Sequence, residues 1–71
     1  MKTITRERES RGWSRAELSR RAGLNAATVG QIEAGRLVPY SVQHDKIAEA
    51  LEYAGEPDTL LEEVGSDGAT A

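Results

Sequence analysis

The side chains of this chain that could do chemistry are mainly arginines and carboxylates, and they are unevenly divided along it. Residues 1–40 contain eight basic and four acidic residues and carry +4, whereas residues 41–71 contain one lysine and eight acids and carry −7. A division of this kind predicts a surface for a polyanion, backed by an acidic surface. Chance clustering in a chain rich in arginine and glutamate is the alternative explanation.

Catalytic and metal-binding sets of residues are incomplete in the sequence. His44 and Asp45 are adjacent, but the chain has no cysteine and no matched nucleophile for them to activate. Glu62, Glu63 and Asp67 are too scattered for a metal-binding loop, and a solvated acidic face explains them better. We therefore expect neither an enzyme nor a protein with a metal or another cofactor.

Two short helices joined by a tight turn are predicted within Gly12–Pro39. Ser14 and Glu17 have the spacing of a capping box, which predicts the start of the first helix of the pair. Gly23 is predicted to end that helix, because glycine accepts the left-handed backbone of a sharp turn. The predicted inward side chains of this helix are Leu18 and Ala22.

The second helix of the pair is predicted to run from Asn25, its N-cap, to about Ala34. Gly30 lies in mid-helix, where glycine costs about 1 kcal/mol relative to alanine. Its presence there indicates that the helix closely approaches another surface. Val29 and Ile32 are predicted to face inward, and the opposite face is small and uncharged, with Ala26, Ala27, Gly30 and Gln31. Compact domains insert a helix of such a pair into the major groove of DNA.

A further helix is predicted before the pair, over about 3–11. Ile4 is apolar, but Arg8 follows one turn later on the same face. An arginine on the buried side needs a partner, because an unpaired charge in the interior is costly. Trp13 is predicted to anchor the core rather than to serve as an exposed stacking platform.

Two more helices are predicted after the pair, and no strand is predicted anywhere. The first runs from about Ser41 to Tyr53, and the second covers about 58–64 after Pro57 in its first turn. We expect one all-α domain over residues 1–64 and a frayed tail over 65–71. Without a leader sequence or a membrane-spanning run, a cytoplasmic protein is expected. The predicted inward residues of the fourth helix are Ile47, Ala48, Leu51 and Ala54.

The chain resembles the helix-turn-helix domain of the lambdoid phage repressor and Cro family, also called XRE-type. The matching pattern is G-W-S-x-x-x-L-S-x-x-A-G-L-N-x-x-T-V-x-x-I-E-x-G-R-x-x-P, followed by K-I-A-x-A-L at 46–51. The resemblance covers about Ile4 to Leu61 and implies a compact five-helix, lambda-repressor-like domain. It also implies a transcriptional regulator, foremost a repressor, that places its third helix in the major groove of double-stranded DNA.

The resemblance assigns roles to individual residues. It implies that Gln31 can bond an adenine edge and that alanine methyls can contact thymine methyls. The implied base-facing residues are Asn25, Ala26, Ala27 and Gln31, and the implied phosphate-facing residues are Ser14, Arg15, Thr28, Arg36, Tyr40 and Gln43. Most family members have glutamine in place of Arg15. Arg8 and Glu33 match a structural ion pair of the family. From pattern alone, Gln31, Arg15 and Arg36 are solvated surface residues. Arg21 is expected to cover the surface, and Arg20 either covers the surface or contacts DNA.

The C-terminal half leaves several hypotheses open. Leu60, Leu61 and Val64 either cover the core or form the two-fold interface of a homodimer that binds paired half-sites. A DNA-binding antitoxin, whose acidic C-terminal part holds a basic toxin, is the first alternative to a repressor. The second is a protein-interaction module that uses the same fold without DNA.

Overall fold

Four α-helices and one 3₁₀ helix make up residues 1–64, the part of the chain that the computed structural model describes. They are α1 (Thr3–Ser10), α2 (Arg15–Arg21), α3 (Thr28–Glu33), α4 (Ser41–Leu51) and the 3₁₀ helix (Pro57–Leu61). The predicted tail at 65–71 lies outside the described residues. Within residues 1–64, no helix is long and apolar enough to span a membrane.

The predicted fifth α-helix is wrong, because this segment forms a single short 3₁₀ element. The Thr59 N–H and hydroxyl both donate to the Glu56 carbonyl three residues earlier, at 2.9 and 2.6 Å, which tightens the turn. The Tyr53 hydroxyl lies 2.7 Å from Thr59 Oγ1 and ties the element to the end of α4. The fold is therefore all-α, with four α-helices rather than five in the part that is described.

A single apolar core joins these elements. The inward residues predicted for the second, third and fourth helices are buried, except Ala54, which is exposed. The prediction for Ala54 is wrong because α4 ends at Leu51, after which Glu52 adopts a left-handed backbone with φ 51°. The buried apolar side chains are Ile4, Leu18, Ala22, Val29, Ile32, Ile47, Ala48, Leu51 and Leu60.

The angle between α2 and α3 is fixed by a turn and by one buried hydroxyl. Gly23 has φ +73°, the left-handed conformation that glycine adopts without strain. Ser19 is fully buried; its Oγ accepts a hydrogen bond from the Val29 N–H at 3.0 Å and donates one to the Arg15 carbonyl at 3.0 Å. This hydroxyl therefore joins the start of α3 to α2.

The two ends of the described chain lie side by side. The Thr3 N–H and hydroxyl both donate to the Glu62 carbonyl, at 2.8 and 3.0 Å, and the Val64 N–H donates to the Met1 carbonyl at 2.9 Å. This pairing is an isolated antiparallel bridge, the one element of extended pairing in residues 1–64. It holds Leu60 in the core at 2% exposure.

Candidate nucleic-acid interface

The predicted base-facing residues lie exposed at the start of α3 and on its outer side. α3 begins at Thr28, with Ala27 as its N-cap, two residues later than predicted, because the Asn25 side chain accepts a hydrogen bond from the Ala27 N–H at 2.9 Å and holds a turn there. Ala26 and Ala27 are therefore exposed turn residues that precede the helix, and Thr28 is half-buried. The exposed side chain with hydrogen-bonding capacity inside α3 on this face is that of Gln31.

A buried ion pair stands behind this face. The Arg8 Nε donates to Glu33 Oε2 at 2.8 Å and its Nη2 donates to Glu33 Oε1 at 3.1 Å, with both side chains less than 10% exposed. The Arg8 Nη1 donates to the Trp13 carbonyl at 2.8 Å. The hydrogen bonds to Glu33 and the negative charges of Glu33 and Glu9 raise the pKa of Arg8 against the opposing effect of burial. The pair that the resemblance implies thus joins α1 to the last turn of α3.

Arg15 bonds the same carboxylate from the solvent side. Its Nε donates to Glu33 Oε1 at 3.1 Å, while its side chain is 61% exposed. The aliphatic part of the Arg15 side chain crosses α3 at Gly30, where a Cβ atom would lie 3.3 Å from Arg15 Cδ. The close approach predicted from the mid-helix glycine is therefore an approach by a side chain of this protein.

Arg36 is an exposed cation beside the end of α3. Its guanidinium has no carboxylate partner among the ion pairs within residues 1–64. Its backbone N–H donates to the Gln31 carbonyl at 2.9 Å. A shallow groove of about 500 Å³ brings Arg36 together with Arg15, Gly30 and Lys2. Lys2 lies 3.7 Å from Glu63, so its charge is partly balanced.

The other predicted phosphate-facing residues lie away from this groove. Tyr40 is 75% exposed and precedes α4. The Gln43 Oε1 accepts from the Tyr40 N–H at 2.9 Å, which caps α4 and leaves the amide N–H₂ of Gln43 as a donor. The Ser14 Oγ caps α2 by accepting from the Glu17 N–H at 3.0 Å, and its own O–H proton stays available for donation.

The second half of the predicted capping box is replaced by ion pairs. The Glu17 carboxylate accepts from Arg20 Nη2 at 3.0 Å and from Arg21 Nε at 2.7 Å. These hydrogen bonds lower the pKa of Glu17 below its ordinary value of 4.5. Arg21 also stacks on the Trp13 ring, with Cζ 4.3 Å from the centroid, and Trp13 is half-buried against the core. Both arginines are therefore engaged on the surface of α2.

The other polar residues that the sequence singles out are His44 and the acidic residues near the C-terminus. The His44 Nδ1 lies 3.3 Å from the Pro57 carbonyl, so this ring contacts the 3₁₀ helix rather than a nucleophile. Among residues 1–64, no group of three or more histidine or acidic side chains is placed to hold a metal ion. Glu62 and Glu63 are exposed, and Asp67 lies outside the described residues.

Two contacts behind this face are absent from the sequence-based expectations, and one of them has a signal in the sequence. Ser19 stands between apolar inward residues, and a serine at that place in an otherwise buried stripe is the signal of a buried hydroxyl. The Arg15 contact with Glu33 joins residues 18 positions apart and has no local signal. The Ser19 contact holds the start of α3, and the Arg15 contact lies at the last residue of α3.

Comparison with known proteins gives one match. A family model described as a helix-turn-helix domain matches residues 3–64. The matched range includes the four described α-helices and the 3₁₀ helix, with the α2–α3 pair in its N-terminal half. No curated protein and no solved structure matches the chain significantly.

Proposed function

Because the chain belongs to the helix-turn-helix domain family, we propose that it is a sequence-specific transcriptional regulator of the lambdoid repressor and Cro, or XRE, type. It binds double-stranded DNA by inserting α3 and the preceding turn into the major groove. The observation that supports this most directly is the small, exposed outer face of α3, flanked by Arg36, an arginine without an acidic partner in residues 1–64.

Recognition of bases rests on few side chains in this proposal. The Gln31 amide pairs with an adenine edge, and the Ala26 and Ala27 methyls contact thymine methyls. Asn25 contributes its amide N–H₂, because its Oδ1 is engaged by the Ala27 N–H. With so small a face, DNA shape and deformability supply part of the specificity.

Phosphate contacts position the domain. Arg36 and Arg15 supply the charge, and Thr28, Ser14, Tyr40 and Gln43 supply hydroxyl or amide donors. The net charge of −3 does not oppose this, because charges more than about 10 Å away are largely screened at moderate salt. Release of counterions from DNA then provides much of the affinity.

The regulator acts as a repressor by occupying a promoter, and therefore works in the cytoplasm where the DNA is. A homodimer would match paired half-sites one helical turn apart. Leu60 is not available for its interface, because this side chain is buried in the core. Leu61 and Val64 are half-buried and remain the proposed apolar contacts of the dimer. Sedimentation at micromolar concentration tests the dimer independently of DNA binding.

The experiment that tests DNA binding is selection of duplexes from a random pool, followed by anisotropy titrations of the selected duplex. We expect a recurrent motif and an affinity that falls steeply with salt concentration. Gln31→Ala should weaken binding of the selected duplex by about tenfold while leaving binding to unrelated DNA unchanged. Glu49→Ala, an exposed change on α4, is the matched control. Absence of binding at about 100 mM salt, or binding without salt dependence, would contradict the proposal.

The acidic surface favours a second candidate function, that of a DNA-binding antitoxin. Residues 45–63 contain seven exposed carboxylates, and Glu63 is the one among them with an ion pair in the described part of the chain. A surface of this charge is complementary to a basic protein such as a toxin. Co-purification of a small basic protein that dissociates at high salt would support this role. A protein-interaction module without DNA binding would leave the selection experiment without a motif.

A further inference from the structure

We propose that Glu33 positions the Arg15 guanidinium so that its Nε stays bonded to Glu33 while its two Nη groups bind a DNA phosphate. This inference rests on the proposed function, because the phosphate belongs to the DNA backbone. It assigns Glu33 a positioning role in binding besides its pairing with Arg8. It also assigns Gly30 the role of making room for the Arg15 side chain.

The carboxylate that orients Arg15 is itself fixed. Arg8 bonds both oxygens of Glu33, at 2.8 and 3.1 Å, and the Glu33 side chain is 5% exposed. Arg15 approaches the same Oε1 at 3.1 Å from solvent and remains 61% exposed. A mobile surface arginine is thereby anchored by a side chain that has little freedom to move.

Gly30 determines the path of the Arg15 side chain. Arg15 Cδ lies 3.3 Å from the position of a Cβ at residue 30, so a larger side chain there would occupy the space through which Arg15 passes. This path takes the side chain past Gly30 and brings the guanidinium to Glu33 in the last turn of α3. A glycine at this position, which weakens the helix, is accounted for by this contact.

The remaining donors of Arg15 suit a phosphate. A guanidinium carries five N–H donors, of which Nε uses one on Glu33 and the Nη groups carry four. Within residues 1–64 the Arg15 guanidinium makes no hydrogen bond other than the one from Nε. Arg8 pairs with both Glu33 and Glu9, whereas the exposed Arg15 side chain has Glu33 as its one carboxylate partner within residues 1–64, so its Nη donors stay available at the surface. Arginine binds phosphate through such a fork, whereas lysine offers a single ammonium group.

Substitution of Arg15 by lysine keeps the positive charge but removes the planar guanidinium with its several donors. It therefore tests whether phosphate binding depends on the oriented guanidinium or on charge alone. In anisotropy titrations of a selected duplex, we expect Arg15→Lys and Arg15→Gln to weaken binding alike, each by about tenfold. Arg20→Lys, on the same helix but bonded to Glu17, is the matched control and should bind like the unchanged protein. Binding by Arg15→Lys within twofold of the unchanged protein would overturn the proposal.

A second measurement tests the positioning without DNA. In NMR spectra of the free protein we expect a protected Nε–H signal from Arg15, which Gly30→Leu removes while the Arg8 Nε–H signal remains. The Arg15 signal should persist, shifted, in the DNA complex; its loss on DNA binding would show that Arg15 leaves Glu33 and would overturn the proposal. Failure of the unchanged protein to bind any duplex would instead refute the proposed function, and this inference with it.

Discussion

Replacement of Ser19 by alanine tests how the angle between α2 and α3 is maintained. The serine Oγ accepts from the Val29 N–H at 3.0 Å, and both residues are fully buried. Without this acceptor, the buried N–H loses its partner, at a cost of about 1–3 kcal/mol. The Arg15 carbonyl loses less, because it also belongs to the hydrogen-bond ladder of α2. The higher helix propensity of alanine returns up to about 0.5 kcal/mol.

The expected net loss is therefore about 0.5–2.5 kcal/mol in the free energy of unfolding. In a domain of this size it lowers the melting temperature by about 2–20 °C. Urea and thermal melts followed by circular dichroism measure the loss, and hydrogen exchange of the Val29 amide locates it. Ser10→Ala is the matched control, since its hydroxyl bonds an exposed carbonyl and its removal should cost less than about 0.5 kcal/mol. Equal stability of the Ser19 and Ser10 variants, with unchanged exchange at Val29, would refute this reasoning.

Three further changes have definite expected outcomes. Glu33→Ala removes the buried carboxylate that bonds Arg8 at two nitrogens and should cost about 3–5 kcal/mol, enough to unfold much of the protein at 25 °C; an unchanged melting temperature contradicts this. The pKa of Glu17 is lowered in the folded state, so the unfolded state binds more protons as the pH falls below about 5, and stability decreases there. Glu17→Gln should flatten this decrease in urea melts between about pH 6 and pH 3, and an identical pH profile would show that Glu17 is not involved. Arg36→Gln should reduce the slope of log affinity against log salt by about 1, whereas Lys46→Gln, which removes a charge from α4, should leave it unchanged.

The helices and their inward faces could be predicted from the sequence because they depend on local spacing. Leu18 and Ala22, or Val29 and Ile32, recur at helical intervals and are buried as the pattern indicates. Errors occur at helix ends, where side chains compete with the helical backbone. The Asn25 side chain accepts a hydrogen bond from the Ala27 N–H, so α3 begins later than expected. Helix propensity alone does not indicate this later start.

The candidate interface was predicted less completely, because its geometry depends on contacts between residues distant in the chain. The pairing of Arg8 with Glu33 came from resemblance to a family and not from local spacing. The third partner of that cluster, Arg15, stands where most family members have glutamine, so the resemblance gave no indication of its contact. Similarly, the pairing of Lys2 with Glu63 joins opposite ends of the described chain and leaves no periodic signal.

Chemical-shift mapping of the selected duplex onto the protein tests most directly whether α3 and its flanks bind DNA. We expect the largest amide shifts at residues 25–31, with smaller ones at 14–15 and 36–43, and none at residues 45–58 of the acidic surface. Side-chain amide signals of Gln31 should shift with the bases of the recognised motif. Shifts confined to the acidic surface, or spread evenly over the domain without saturation, would contradict the proposed interface.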